Sequence, residues 1–256
     1  TENAQPALMA VSLAVLRVLE TEAGIDIETS CKYVAGHSLG EYSALAAARS
    51  LDIADAARLL KMRGRAMQEA VPIGLGAMAA LLGAELDQAR KIAADAAEDE
   101  VCETANDNAV GQIVISGHKT AVDRAIALAS ERGIRRAIEL PVSAPFHCSL
   151  MQPAAEIMEQ ALGEIELRRP VVPLIANVTA AAVDRPDEIR DLLVKQVTAM
   201  VRWRESVLAM RDAGVYTLVE LGAGKILSGL LRRIDRDLTA ISVESPGDIE
   251  ALMKTL

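Results

Sequence analysis

The run Tyr33-Val34-Ala35-Gly36-His37-Ser38-Leu39-Gly40-Glu41-Tyr42-Ser43-Ala44-Leu45 decides how this chain is read. Three residues suited to a strand lead into Gly-His-Ser-Leu-Gly, and from Glu41 onward the residues are mostly helix formers. The local order is therefore strand, sharp turn, helix. A G-x-S-x-G turn holds its serine in a strained conformation, and Gly36 and Gly40 are read as the places where a missing Cβ lets strand and helix approach. Ser38 then stands at a helix N-terminus as a candidate nucleophile, with the Leu39 N–H and the helix dipole available to an oxyanion. The plainer alternative is a serine that merely caps a helix. The strand before it and the helix after it favour the nucleophile.

Composition narrows the rest. The chain has 256 residues, 51% hydrophobic and 25% charged, which suffices for one large domain or two small ones. Only 2% is aromatic, so the core must be built from Ala, Leu, Val, Ile and the nine methionines, as in helix-rich α/β packing. A net charge of −9 argues against generic nucleic-acid binding and requires any anionic ligand to be met by a local basic group. Ser12 and Arg17 interrupt the most apolar run, Pro6 to Leu19, so no membrane span is expected. Cys31, Cys102 and Cys148 are odd in number and lack C-x-x-C spacing, which suggests neither zinc nor a disulfide framework and fits a cytoplasmic protein. Cys148 follows His147 directly and is read as a packing residue, since neighbours on an extended segment face opposite ways. The start at Thr1 resembles neither a signal peptide nor a native initiator, so a trimmed N-terminus is expected.

Taken in order, Glu2 to Glu22 reads as an amphipathic helix and Ile53 to Val71 as a second one, made basic by Arg58, Lys61, Arg63 and Arg65. From Gly74 to Pro141 the pattern is β-α-β-β-α-β, the order of a ferredoxin-like unit, with Ala105 to Gly111 as a turn and His118 as an exposed cap neighbour. Pro141 and Pro145 fix an extended loop that presents His147, the favoured general base; His37, inside the turn, is the rival but faces away from Ser38. The remainder reads as strand Val171 to Ala176, helix Asp187 to Met200, helix Trp203 to Asp212, strand Tyr216 to Leu221, helix Ile226 to Arg233, strand Leu238 to Val243 and a short terminal helix. Gly222-Ala223-Gly224 before a helix is a weak phosphate-cradle pattern.

Four stretches in this order, GHSLGEYSAL (36–45), KMRGRAMQEAVP (61–72), PVSAPFHCSLM (141–151) and ELGAGKILSGLLRR (220–233), closely resemble the malonyl-CoA:acyl carrier protein transacylases and the related acyltransferase domains of polyketide synthases. The resemblance implies an α/β-hydrolase-like parallel-sheet main domain, residues 1–73 and 142–256, with the ferredoxin-like subdomain 74–141 inserted. It implies transfer of malonyl from malonyl-CoA to the phosphopantetheine thiol of acyl carrier protein for fatty acid synthesis, through malonyl-Ser38, with no cofactor. By position Arg63 would hold the malonyl carboxylate, as a planar guanidinium does and a lysine does not. The Gln196 backbone carbonyl would orient His147, with Asp191 as the alternative acceptor. The resemblance would place Asn108 near the acyl site, where composition leaves Asn106 and Asn108 equally open as turn residues; His37, next to Ser38, is a further candidate for substrate contact, and Phe146 would disfavour α-methyl substrates. Family members open with a strand carrying Gly-Gln-Gly-Ser-Gln whose glutamine is a second oxyanion donor, and that motif is expected ahead of Thr1. A monomer is expected, docking the acidic carrier through Lys61, Arg65, Lys225, Arg232 and Arg233. A serine thioesterase or hydrolase, a polyketide acyltransferase and a non-catalytic carrier-binding scaffold remain as alternatives. Arg63 discriminates against a hydrolase of neutral acyl groups.

Overall fold

The computed structural model describes residues 1–254. The first segment runs α1 (Ala4–Glu22), the single turn α2 (Ile27–Ser30), β1 (Val34–Ala35), α3 (Gly40–Ala47) and α4 (Ile53–Glu69). An inserted unit follows: β2 (Gly76–Leu82), α5 (Leu86–Ala97), β3 (Cys102–Ala109), β4 (Gln112–His118), α6 (Lys119–Glu131) and β5 (Arg136–Glu139). After a 3₁₀ turn at Ser149–Met151 come α7 (Gln152–Gly163), β6 (Leu174–Ala176), β7 (Ala181–Val183), α8 (Pro186–Gln196) and α9 (Trp203–Asp212). The chain closes with β8 (Thr217–Leu221), α10 (Ile226–Ile234), β9 (Thr239–Val243) and α11 (Pro246–Met253).

The architecture is mixed α/β. In the larger body β1 pairs in parallel with β6, while β6 pairs antiparallel with β7, and β8 and β9 form a separate parallel pair. The parallel sheet expected there is thus broken into a mixed three-stranded piece and a two-stranded one. Its strand β7 is an alanine-rich stretch with no strand signal of its own. The inserted unit is an antiparallel sheet of order β3-β4-β2-β5. Apolar residues of α5 and α6, among them Ile92, Ala93, Val122 and Ala125, pack on the sheet residues Leu81, Ile113 and Ile115. The main core lies among α3, α4, α7 and α8, around Leu45, Leu60, Met67, Met158 and Leu193.

Two element boundaries move, each for a reason that bears on the site. Residues 105–109, expected in a turn, extend β3 through two bulges, because this polar stretch finds partners on the larger body. Asp107 N–H donates to Val201 O at 2.9 Å, Val201 N–H donates to Ala105 O at 2.9 Å, and buried Asp107 pairs with Arg204 at 2.9 Å. Tertiary pairing overrides turn composition here. Helix α8 ends at Gln196 rather than Met200, and the chain peels away so that Val201 can meet β3.

α1 has the length and mean hydropathy, 1.2, of a helix able to cross a membrane. It is nevertheless part of this body: Met9 packs into the main core, Val15 and Leu19 pack beside Val243, and Gln5 is buried.

The elbow depends on Gly36. A Cβ there would lie 2.0 Å from the carbonyl carbon and oxygen of Gly40, whereas a Cβ on Gly40 itself meets nothing within 4 Å. Only the first of the two glycines is therefore required by the close approach; Gly40 sits in the first turn of α3 with open space beside it. Gly36→Ala should cost about 3 kcal/mol, the upper end for overpacking, because the clash is with backbone. Gly229→Ala, in α10 with nothing within 4 Å of the new methyl, should gain up to about 1 kcal/mol. Urea midpoints of the two variants against the parent check both values.

Candidate active site

Ser38 has φ 53°, in the left-handed region where a side chain is strained, and His147 has φ 58°. Two segments far apart in sequence thus hold strained backbone at one place. His147 Nε2 lies 2.8 Å from Ser38 Oγ, and His147 Nδ1 lies 2.9 Å from the Gln196 backbone oxygen. That oxygen is one of the terminal carbonyls that a helix leaves without an intrahelical partner. It fixes the tautomer: Nδ1 carries the proton, so Nε2 accepts the Ser38 hydroxyl proton. Burial, reinforced by the Arg63 charge, pushes the His147 imidazole down to about 3, which keeps it neutral. Asp191, the alternative acceptor, is exposed.

The Leu39 N–H donates to no group among the described residues and remains available to an oxyanion. Arg63 rises from α4 and is 1% exposed. Its Nη1 donates to Gln5 Oε1 at 2.7 Å, and its Nη2 donates to Gln196 Oε1 at 2.8 Å and to Ser38 Oγ at 3.1 Å. No carboxylate forms an ion pair with it among the described residues, and its Nε–H has no partner. Burial lowers its pKa, against the attraction of the Tyr42 and Glu41 groups. A cavity of about 140 Å³ opens over these groups, walled by Gln5, Ser38, Leu39, Met67 and Phe146 in addition to Arg63 and His147.

His37 and Asn108 sit beside this group, with His37 near enough to His147 to help lower its pKa. They bond to each other, His37 Nε2 to Asn108 Oδ1 at 2.8 Å, with the His37 ring 5.7 Å from that of Trp203, and neither walls the cavity. Asn108 comes from the part of β3 that composition assigns to a turn. His118 is half-buried rather than an exposed cap neighbour, its Nδ1 accepting the Val101 N–H at 2.9 Å. Cys148 is buried in packing, its thiol donating to Pro145 O at 3.2 Å. At the Gly222 to Gly224 turn, N–H groups that a phosphate would need are taken within the chain: the Glu220 carboxylate accepts those of Leu227 and Ser228 at 3.0 and 2.7 Å, and Glu244 accepts that of Gly224. A larger cleft of about 380 Å³, where α5 and β3 meet the Thr198–Met200 segment, contains none of these residues.

Sequence reasoning missed three members of the frame. Asn177, just past β6, accepts the Ser38 N–H at 2.7 Å and donates to Gly36 O at 2.8 Å, so it grips both ends of the elbow. Glu41 accepts the Asn177 N–H at 2.5 Å and a hydrogen from Gln196 Nε2. Gln5 holds Arg63. The available signal for Asn177 was positional: β1 and β6 pair in parallel with Ala35 opposite Ile175, so Asn177, next after β6, comes level with His37 in the elbow.

Fold and site together bring a serine hydroxyl, an imidazole held neutral and a buried cation into one pocket, an arrangement able to carry acyl transfer. The chain belongs to the acyl transferase domain family, whose model matches residues 1–239. It is 45% identical over 254 residues to the malonyl CoA-acyl carrier protein transacylase of Escherichia coli K12, covering 99% of this chain and 81% of that protein. To the protein of the same name from Bacillus subtilis it is 43% identical over 257 residues, with 100% and 80% covered. Among solved structures, the acyl-carrier-protein S-malonyltransferase of Bartonella henselae superposes with a TM-score of 0.97 at 52% identity, covering 100% of this chain and 81% of that one. A malonyl-transacylase in complex with its type II PKS acyl-carrier protein gives 0.96 at 38% identity, with 100% and 82% covered.

Because burial keeps His147 neutral, labelling of Ser38 by a fluorophosphonate should hold its rate from about pH 8 down to about pH 5, with no limb near 6.5. The same depression has a sign for stability. The unfolded chain takes up this proton below its ordinary pKa and the native chain does not, so the contribution is present above about 6.5 and is lost as pH falls toward 3. A labelling midpoint near 6.5 would show a solvated imidazole.

Proposed function

We propose that this chain transfers malonyl from malonyl-CoA to the phosphopantetheine thiol of acyl carrier protein, by way of a malonyl ester on Ser38. One observation carries the reading: a buried guanidinium whose Nη2 lies 3.1 Å from the candidate nucleophile, within reach of the far carboxylate of a short acyl group on that oxygen. A bidentate pair there selects a carboxylated acyl group, whereas an esterase of neutral acyl groups has no use for it.

The steps follow from the donors in place. His147 Nε2 takes the Ser38 proton as Oγ attacks the thioester carbonyl, and the Leu39 N–H stabilises the oxyanion. The C–S bond breaks and the coenzyme A sulfur leaves with the proton held by His147. In the second half the carrier's thiol gives its proton to His147 and attacks the malonyl ester, and Ser38 recovers its hydrogen. Coenzyme A and the carrier are substrates, and the chain's own side chains supply every proton transfer. Phe146, half-buried in the cavity wall beside His147, crowds an α-methyl group. Malonyl-carrier made in this way supplies fatty acid synthesis, with a polyketide pathway as the second use suggested by the related complex. Lys61 and Arg232, exposed and outside every ion pair among the described residues, support an electrostatic docking surface; Arg65 and Lys225 are already paired with Glu69 and Glu244. The β-α-β-β-α-β order and the sheet order of residues 76–139 support a ferredoxin-like unit inserted at 74–141 into an α/β-hydrolase-like core, and the unpaired thiols fit the cytoplasm.

Malonyl-CoA alone should leave one malonyl group on the parent protein and none on Ser38→Ala, read by intact mass; an unmodified parent would reject the mechanism. Arg63→Ala should lower kcat/KM for malonyl-CoA by roughly 2–5 kcal/mol, as for a truncated buried charge pair, while raising acceptance of acetyl-CoA relative to malonyl-CoA. Equal losses for both substrates would make Arg63 a structural residue.

A further inference from the structure

Glu41 is 1% exposed, three residues past the nucleophile in the first turn of α3, and the reaction above makes no use of it. Its two oxygens receive hydrogens from two separate segments. Oε1 takes the backbone N–H of Asn177, which follows β6, and Oε2 takes Nε2–H of Gln196, the last residue of α8. Gln196 is the junction of the site. Its Nε2 also donates to Ser38 O at 3.0 Å, its Oε1 accepts from Arg63, and its backbone oxygen accepts from His147. The last residue of a helix is the one most prone to fray. Here its side chain ties it down, and the carboxyl is the tie.

We propose that Glu41 is the positioning residue of this site: by accepting from Gln196 and Asn177 it fixes the Gln196 amide, so that one residue can aim His147 at Ser38 and Arg63 at the acyl carboxylate together. The inference rests on the malonyl-transfer reading and deepens it. A carboxyl is required by the geometry, since both of its partners are N–H donors. A glutamine of the same shape can accept from only one of them and turns its own NH₂ against the other. If the Gln196 amide turned over to meet that NH₂, it would present NH₂ to Arg63 and withdraw the guanidinium's acceptor. Burial pushes the Glu41 carboxyl up, while the N–H aimed at each of its oxygens and the Arg63 charge favour the anion, the form in which both oxygens accept.

Rapid-quench acylation of Glu41→Gln with malonyl-CoA and with acetyl-CoA tests this. The variant should keep a full burst amplitude while its burst rate falls by about 10²-fold, with malonyl losing more than acetyl because Arg63 is misaimed as well. Gln196→Ala keeps the backbone carbonyl and removes the amide. It should show the same split, and the double variant should be no slower than the slower single one. A wild-type burst rate at full amplitude in Glu41→Gln overturns the proposal. So does a loss confined to amplitude, or a fall that is additive in the double variant. If Glu41→Gln does not fold, a wild-type burst rate in Gln196→Ala overturns it equally. Fluorophosphonate labelling of Ser38 in the same variants separates the two failures: a parent that takes up no malonyl rejects the transfer reading, while labelling of both variants at the parent rate rejects the role of Glu41.

Discussion

A guanidinium taken out of water with no carboxylate touching it must be solvated by neutral groups, and that constraint shapes this molecule around Arg63. The cost of removing a charge from water is several kcal/mol even after relaxation. Gln5 from α1, Gln196 from α8 and the Ser38 hydroxyl return part of it through amide and hydroxyl oxygens. These groups come from three parts of the chain, so they can meet Arg63 on α4 only once α1, α8 and the elbow before α3 are packed around it. Neutral acceptors also leave the cation unneutralised. The charge that a direct ion pair would have cancelled remains available to a ligand, and the unpaired Nε–H adds a further unmet demand.

The same cation sets the tone for its neighbours. It helps to hold the His147 imidazole neutral, and it is the one nearby charge that favours the anion of buried Glu41. Ser38 and His147, the proposed nucleophile and base, therefore start from neutral forms in a largely buried pocket, where hydrogen bonds aimed at developing charge are worth more than in water. The orientation of the imidazole falls to a backbone carbonyl instead of an acidic side chain. Such an acceptor fixes the tautomer without placing a full negative charge beside Arg63.

How much of this was legible depended on whether a residue's role was set by its neighbours in sequence. The elbow, the loop that presents His147 and the β-α-β-β-α-β order could be read because glycine, proline and hydrophobic period act within a few residues. The place of Arg63 was readable only through resemblance, since nothing local separates it from Arg58, Lys61 and Arg65, which turn out exposed while it is buried. Asn177, Glu41 and Gln5 carry no local mark, because their partners are 139, 155 and 58 residues away. Residues 105–109 misled for the complementary reason: Asn, Asp and Asn spell a turn unless a partner strand supplies bonds from elsewhere. The end of α8 was missed in the same way, since propensity alone continues that helix through Thr198 and Ala199.

The strand that misled the reading has one more consequence. β3 belongs to the four-stranded sheet of the inserted unit, yet it also exchanges main-chain hydrogen bonds with Val201 and sinks the Asp107–Arg204 pair into the larger body. The inserted unit is thus fastened at three points: the two crossings of the chain near residues 72–75 and 140–146, and this non-covalent clamp between them. Motion of that unit against the larger body would have to break those hydrogen bonds and the buried ion pair as well as bend the two connections.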